Sequence, residues 1–136
     1  MGTTGPMALN WLAVIAAAAT GFIVGGIWYG PLLGKAWMRA SGVSEEAAQR
    51  SNKARTFGLT ALLNVIAATS LAMFIGPQAD WYFGLFAGFM TGLTFVSTAL
   101  GVIYLFEQRP LRLWLINAGY QTVNFSLMGV ILGAWH

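Results

Sequence analysis

Long apolar segments alternate with short polar connections along this chain, and the alternation predicts where its helices lie. Four apolar segments cover about 9–33, 57–75, 81–106 and 113–133. A helix of about 20 apolar residues crosses the roughly 30 Å of hydrocarbon in a bilayer, so each segment is long enough to be a membrane span. The pattern predicts an all-α integral membrane protein, a single transmembrane domain over 1–136 whose four helices form an antiparallel bundle.

The composition agrees with this interpretation. The chain is 57% hydrophobic and 8% charged, and its mean hydropathy is +0.68, whereas soluble domains carry about 25% charged residues. Because so few charges cannot cover a folded chain with polar surface, we expect a lipid bilayer around it. The basic residues lie beside the apolar segments, so we expect them to contact the membrane surface and expect no nucleic-acid partner.

The basic residues fall in alternate connections, which predicts the orientation of the bundle. They are Lys35, Arg39, Arg50, Lys53 and Arg55 in the first connection, and Arg109 and Arg112 in the third. The second connection and both ends contain no Lys or Arg. Cytoplasmic loops are enriched in basic residues, so the first and third connections are predicted in the cytoplasm and both termini outside.

The first connection contains the one stretch with the pattern of a soluble helix, between Ser41 and Thr56. Ser44 is a suitable N-cap, and Glu45 and Glu46 follow in the first turn, where carboxylates favour the helix dipole. We expect a short cytoplasmic helix here that continues directly into the second span.

The first span ends in a group of aromatic residues. Trp28 and Tyr29 directly precede Gly30-Pro31, which breaks a helix. Trp and Tyr are enriched at the membrane interface, so we interpret 28–39 mainly as an interfacial anchor. A signal peptide ending near 17–19 is disfavoured, because there is no basic segment before it and the apolar run is too long.

Glycines at four-residue spacing mark the packing faces of two spans. Gly21 and Gly25 lie on one face of the first span, and Gly84, Gly88 and Gly92 lie on one face of the third. Small residues let helix backbones approach closely in a membrane, where association depends on contact rather than on the hydrophobic effect. These five glycines are therefore our candidate helix-packing positions.

The fourth span carries a polar stripe. Asn117, Tyr120, Gln121 and Asn124 fall at i, i+3, i+4 and i+7, on one side of a helix, and Asn64 of the second span could join them. Two interpretations stay open: interhelical hydrogen bonds, or the lining of a ligand site or aqueous path. The surface of this span that is left for lipid consists mainly of Ile116, Val123, Phe125 and Leu127.

Charged residues at the cytoplasmic ends of the spans form a second candidate site. They are Lys35, Arg39, Glu107, Arg109 and Arg112. A carboxylate and guanidinium groups at a helix entrance could bind a lipid headgroup or a polar substrate. The alternative is a local ion pair with arginines that extend to the membrane surface.

The sequence contains few groups suited to catalysis. It has no cysteine, and its one histidine is His136. Asp80 and Glu107 lie at the ends of spans, which disfavours a proton-coupled exchanger with a carboxylate in mid-membrane. We therefore expect no catalytic residues, no metal and no cofactor.

Several short motifs recur in a known family. They are Asn10-Trp11, Trp28-Tyr29-Gly30-Pro31-Leu32, Gly34-Lys35-Ala36-Trp37-Met38, Glu107, Arg109-Pro110, Leu113-Trp114-Leu115-Ile116-Asn117-Ala118-Gly119-Tyr120 and 129–135. With them the chain resembles, from about Ala8 onward, an uncharacterised family of small bacterial four-span membrane proteins, domain of unknown function 1761. The resemblance implies a multi-pass protein of the bacterial inner membrane and supplies no activity. Relatives often have histidine after Tyr120, where this chain has Gln121, which argues against a titrating or metal-binding group there.

These observations favour a structural or binding role, as a homo-oligomer or as a subunit of a larger membrane assembly. A small-molecule channel or facilitator lined by the polar stripe is the alternative. A membrane enzyme that acts on a lipid-soluble substrate, with Glu107 or Tyr120 as acid or base, is a third hypothesis.

Overall fold

The computed structural model describes residues 9–50, 52–76 and 79–135, and the regular structure within these ranges is helical, without strands. In chain order the elements are α1 (Trp11–Ile27), a π-helical turn (Trp28–Leu32), α2 (Gly34–Ser41), α3 (Glu45–Arg50), α4 (Lys53–Ile75), α5 (Trp81–Met90), a second π-helical turn (Thr91–Val96), α6 (Ser97–Phe106) and α7 (Leu111–Ala134).

Three helical segments within the described ranges are long and apolar enough to cross a membrane: Trp11–Leu32, Lys53–Ile75 and Trp81–Phe106. These correspond to the first three predicted spans. The fourth, α7, has 24 residues but is not among them. Asn117, Gln121 and Asn124 lower its hydropathy, and most of its length is covered by other helices.

Side-chain caps determine where several helices begin. Asn10 Oδ1 accepts a hydrogen bond from Ala13 N at 3.2 Å, and Asp80 Oδ1 accepts one from Phe83 N at 2.9 Å. Each cap satisfies one of the backbone N–H groups that a helix start leaves without a partner.

The first connection differs from the prediction in one respect. The short helix was expected to run directly into the second span, yet α3 ends at Arg50 and α4 begins at Lys53. Asn52 has an extended backbone, with φ −77° and ψ 97°, and its side chain accepts a hydrogen bond from Arg55 N at 3.1 Å. Because Asn52 caps a new helix, α4 starts before the 57 expected from hydropathy.

The end of α1 is bent at Gly30-Pro31. Gly30 has non-helical angles, φ −100° and ψ −107°, and Pro31 has no N–H to bond the preceding turn. The chain then enters α2 through Gly34, which is buried, and a Cβ there would press against the carbonyl oxygen of Tyr29. This bend places Trp28 and Tyr29 beside α7.

The α7 helix packs against α1, α4, α5 and α6 and is the central helix of the bundle. Its closest neighbour is α5, where a Cβ at Gly84 would meet Gly129 O and a Cβ at Gly88 would meet Phe125 O. Gly92 of the following π turn lies against the backbone of Gln121 and Thr122. The backbones of α5 and α7 are therefore in direct contact here, with no side chain between them.

The apolar core lies at one end of the bundle. It joins the first half of α1, the second half of α4 and the last turns of α7, through Ala13, Val14, Ala17, Ala18, Ala68, Leu71, Ile75, Met128 and Leu132. At the other end the first half of α4 is loosely held, with Phe57 57% and Leu63 62% exposed. The bundle is thus closed at one end and open at the other.

One expected lipid-facing residue of α7 lies inside instead. Ile116 is only 6% exposed, because Trp28 covers this turn and donates from Nε1 to the Ile116 carbonyl at 2.9 Å. Val123 and Leu127 are exposed, at 37% and 40%, and Phe125 is partly buried against the core.

Candidate functional site

The first residue of the polar stripe, Asn117, joins three segments of the chain. Its Oδ1 accepts a hydrogen bond from the Tyr29 hydroxyl at 2.6 Å, and its Nδ2 donates to the Tyr104 hydroxyl at 2.8 Å. Tyr29 comes from the bend after α1, and Tyr104 from α6. Asn117 therefore connects two of the neighbours of α7 through one side chain.

Tyr120 lies one turn further along the same face. Its hydroxyl donates to the carbonyl oxygen of Gly21 at 2.9 Å. Its ring meets the ring of Tyr29 edge to face, with centroids 5.3 Å apart, a favourable arrangement for aromatic pairs. A Cβ at Gly25 would lie 3.5 Å from the Tyr120 hydroxyl, which is ordinary contact.

Asn124 and Asn64 meet at Gly21. A Cβ on Gly21 would lie 2.6 Å from Asn64 Nδ2 and 3.3 Å from Asn124 Oδ1, so only glycine leaves room for the two amides. Asn64 Nδ2 donates to the carbonyl of Ala18 over a long 3.4 Å. Asn124 is 2% exposed, and its Oδ1 has no hydrogen-bond partner among the described residues.

Gln121 is placed differently from the other three residues of the stripe. Its backbone carbonyl lies against Gly92 of the second π turn, and its side chain lines neither of the cavities described next.

Two cavities lie on either side of Tyr29. The larger, which we call the α1–α4 cavity, has a volume of about 610 Å³ and is lined by Gly21, Phe22, Gly25, Gly26, Tyr29, Gly30, Phe57, Thr60 and Tyr120. The smaller, the α2 cavity, has a volume of about 460 Å³ and is lined by Tyr29, Gly34, Trp37, Met38 and Asn117. Tyr29 is the wall that they share.

The sequence did not predict that Trp28 and Tyr29, the aromatic residues at the bend, bond to α7. We interpreted Trp28 and Tyr29 as an interfacial anchor, but both polar atoms donate to consecutive residues of α7, Ile116 and Asn117. Phe22 and Phe57 were not singled out at all, and their rings lie 6.3 Å apart beside the larger cavity. The one available signal was the position of Trp28-Tyr29 directly before a Gly-Pro break.

The charged candidate site is only partly assembled. Arg109 Nε lies 3.5 Å from Glu107 Oε1, and Arg109 Nη1 donates to the carbonyl of Ser41 at 3.1 Å. The first and third connections therefore meet at Arg109. Lys35, Arg39 and Arg112 are exposed, and a small cavity of about 290 Å³ lies between Tyr104, Arg109 and Trp114, among others.

No group of three His, Asp or Glu side chains that could hold a metal ion occurs within the described ranges, and His136 lies outside them. Glu107 and Tyr120, the two residues considered for acid or base chemistry, share neither a hydrogen bond nor either of the larger cavities.

The regular structure of the described residues is helical, and its three long apolar helices indicate a membrane protein. The model of the family described as a protein of unknown function, DUF1761, matches residues 12–133, and the chain belongs to that family. Comparison with curated proteins and with solved structures gives no match for the chain.

Proposed function

We propose that the chain is a four-span protein of the bacterial inner membrane with a binding rather than a catalytic role, and that the α1–α4 cavity is its binding site. The observation that carries this proposal is a cavity bordered by glycines that helix packing does not require. A Cβ added at Gly26 or Gly30 would meet no atom within 4 Å. Here glycine leaves space open, unlike Gly84 or Gly88, where it permits backbone contact.

The size and lining of the α1–α4 cavity suit a small ligand. Its volume of about 610 Å³ falls within the roughly 300–1,000 Å³ of small-molecule sites, which are mostly apolar with a few placed polar atoms. Four aromatic rings and three hydroxyl groups contribute to the lining. The cavity lies at the loosely packed end of the bundle, where α4 can adjust to an occupant.

The proposed topology draws on the central position of α7. A helix of 24 residues is about 36 Å long, and the polar side chains of Asn117 and Tyr120 bond inward to Tyr29, Tyr104 and Gly21 rather than facing lipid. The contact between Arg109 and Ser41 puts the two basic connections at one end, as the positive-inside orientation requires.

Association with a second copy or with other membrane subunits is part of the proposal. Large apolar side chains of α5 and of the second π-helical turn are exposed, for example Phe86 at 60% and Phe95 at 73%. Such a face can pack against another helix as well as against lipid.

The binding role can be tested by filling the cavity. The protein is extracted with its surrounding lipid by an amphipathic copolymer, and small molecules that co-purify are identified by mass spectrometry. We expect a compound that is present with the wild type, lost in Gly26→Phe and retained in Gly58→Phe. Gly58 is the matched control, because a Cβ there also meets nothing within 4 Å and the residue does not line the cavity. The same compounds in all three samples would contradict the assignment of this cavity.

A facilitator is the second candidate function, because Tyr29 alone is common to both cavities. Movement of this ring would join them into one path toward the connections. In that case Tyr29→Ala should raise the flux of small neutral solutes into liposomes, while Tyr82→Ala, an exposed residue on α5, should leave it unchanged.

A further inference from the structure

We infer that the α1–α4 cavity takes a small uncharged molecule with a flat apolar body and at least one hydrogen-bond donor, such as a phenolic hydroxyl or an N–H group. The inference rests on the proposed binding role of this cavity and adds the chemical class of its ligand.

The hydroxyl hydrogens of the polar side chains that line the cavity are already engaged in hydrogen bonds within the protein. The Tyr29 hydroxyl donates to Asn117 Oδ1 at 2.6 Å, the Tyr120 hydroxyl to Gly21 O at 2.9 Å, and Thr60 Oγ1 to Thr56 O at 2.6 Å. A hydroxyl whose hydrogen is engaged can still accept through its oxygen lone pairs. These side chains therefore offer acceptors to a ligand and no donor.

A buried acceptor beside the cavity points the same way. Asn124 is 2% exposed and its Oδ1 has no partner among the described residues. This oxygen lies 3.3 Å from the position that a Cβ of Gly21 would occupy, and Gly21 lines the cavity. A buried acceptor without a donor is costly, so a ligand that brings a donor to this end gains a bond that the protein alone does not make.

The remaining lining defines the body of the ligand. Phe22, Phe57, Tyr29 and Tyr120 present four rings, and no charged residue contributes to the lining. An ion would lose its hydration here without an opposite charge to compensate, which disfavours carboxylates and ammonium groups. Flat apolar molecules keep their contacts with the aromatic walls.

Two probes of nearly equal size separate the donor from the apolar body: 1-naphthol, which carries a hydroxyl hydrogen, and 1-methoxynaphthalene, in which a methyl group replaces it. Their binding is measured by equilibrium dialysis against phosphatidylcholine nanodiscs that contain the protein, and empty nanodiscs give the lipid background. We expect 1-naphthol to bind about fivefold more tightly after this subtraction, the contribution of one net hydrogen bond. Gly26→Phe should lose both probes and Gly58→Phe neither.

The outcomes distinguish the inference from the proposal beneath it. Equal binding of the two probes, or tighter binding of 1-methoxynaphthalene, with both lost in Gly26→Phe, overturns the donor requirement and leaves the binding site in place. No binding above empty nanodiscs, or binding that Gly26→Phe does not reduce, overturns both.

A pair of hydroxyl deletions tests which oxygen takes part. Tyr120→Phe keeps the ring and removes an acceptor from the lining. The ratio of the affinities for 1-naphthol and 1-methoxynaphthalene should therefore fall from about five toward one. Tyr104→Phe removes a hydroxyl that accepts a hydrogen bond from Asn117 and does not line the cavity, and the preference should be unchanged. An equal response of the two variants would overturn the assignment of Tyr120 as an acceptor for the ligand.

Discussion

At the scale of single residues, the Asn117 side chain of α7 bonds to two other segments of the chain. Its amide receives the Tyr29 hydroxyl and donates to the Tyr104 hydroxyl, so both ends of the side chain are satisfied. Interhelical hydrogen bonds in membranes contribute on average about 0.6 kcal/mol each. Asn117 contributes more than one such bond because its loss affects the hydroxyls of two half-buried residues, Tyr29 and Tyr104.

We predict that Asn117→Leu destabilises the protein by about 1–3 kcal/mol, because the hydroxyls of Tyr29 and Tyr104 both lose a partner. Tyr104→Phe, which removes a single bond and leaves nothing else unpaired except one amide hydrogen, should cost about 0.5–1 kcal/mol. The measurement is reversible unfolding in mixed micelles with increasing sodium dodecyl sulfate. A smaller loss for Asn117→Leu than for Tyr104→Phe would contradict the bridging role.

The stripe itself could be predicted from the sequence, but its partners could not. Helical spacing alone puts Asn117, Tyr120 and Asn124 on one face. Tyr29 lies 88 positions from Asn117, and no local pattern gives a contact at such a separation. An aromatic residue at the end of a span suits the interface and the interior equally well by composition, so the bend at Gly30 had to be known first.

At the scale of helices, the contact between α5 and α7 is the tightest in the bundle. Backbone meets backbone at Gly84 and Gly88 of α5 and continues at Gly92 of the second π-helical turn, and a small-residue face of this kind was predicted for the third span from its spacing. The opposing surface, at Gly129 and Phe125, could not be predicted, because it depends on how α7 is rotated and shifted along its axis.

We predict that Gly88→Ala destabilises the protein by about 1–3 kcal/mol or more, since its single added carbon would overlap the carbonyl of Phe125. Gly58→Ala is the control with the same change in helix propensity, and its Cβ meets nothing within 4 Å. It should be neutral or stabilising by about 0.5–1 kcal/mol. Thermal aggregation in detergent, followed for both variants, gives the comparison, and similar midpoints would refute close contact at Gly88.

Hydropathy predicts the bounds of a helix where the apolar segment ends together with the helix. It does not predict them where a capping residue starts the helix earlier. α4 begins at Lys53 because Asn52 caps it, although the apolar pattern starts at Phe57. Hydropathy detects the part of a helix that is apolar. It does not detect the turns that a cap adds beyond the apolar part.

We predict that Asn52→Ala destabilises the start of α4 by about 0.5–2 kcal/mol, the usual cost of losing an N-cap. The effect should be local, because the first half of α4 makes few core contacts and can fray while the closed end stays packed. Hydrogen exchange should therefore increase over 53–60 and remain unchanged over 65–75. Uniform faster exchange along all of α4 would show that the helix opens as one unit.

At the scale of the whole molecule, the bundle has two unlike ends. The core unites α1, α4 and α7 around Val14, Leu71 and Met128 at one end, and the cavities and the bend occupy the other. Stability and the proposed binding are thus separated along the same helices. Ligands that bind in the open end need to displace only the weakly packed half of α4.

The position of α7 also determines how many times the chain crosses the membrane. Three helices within the described ranges are long and apolar enough to cross a membrane. The polar residues of α7 lower its mean hydropathy, and this average does not distinguish polar side chains that face other helices from those that face lipid. If α7 crosses the bilayer with the other three, its two ends lie on opposite sides. A three-span chain would instead leave both ends of α7 on the cytoplasmic side.

Cysteine labelling separates these arrangements, and the chain has no cysteine of its own to interfere. Single cysteines are placed at Gln49 in α3, at Gln108 before α7 and at Ala134 in its last turn, all of which are exposed. We predict that an impermeant thiol reagent labels Ala134→Cys in intact spheroplasts, and labels Gln49→Cys and Gln108→Cys only after permeabilisation, because the basic connections lie in the cytoplasm. Protection of Ala134→Cys together with the other two would show that α7 does not span the membrane.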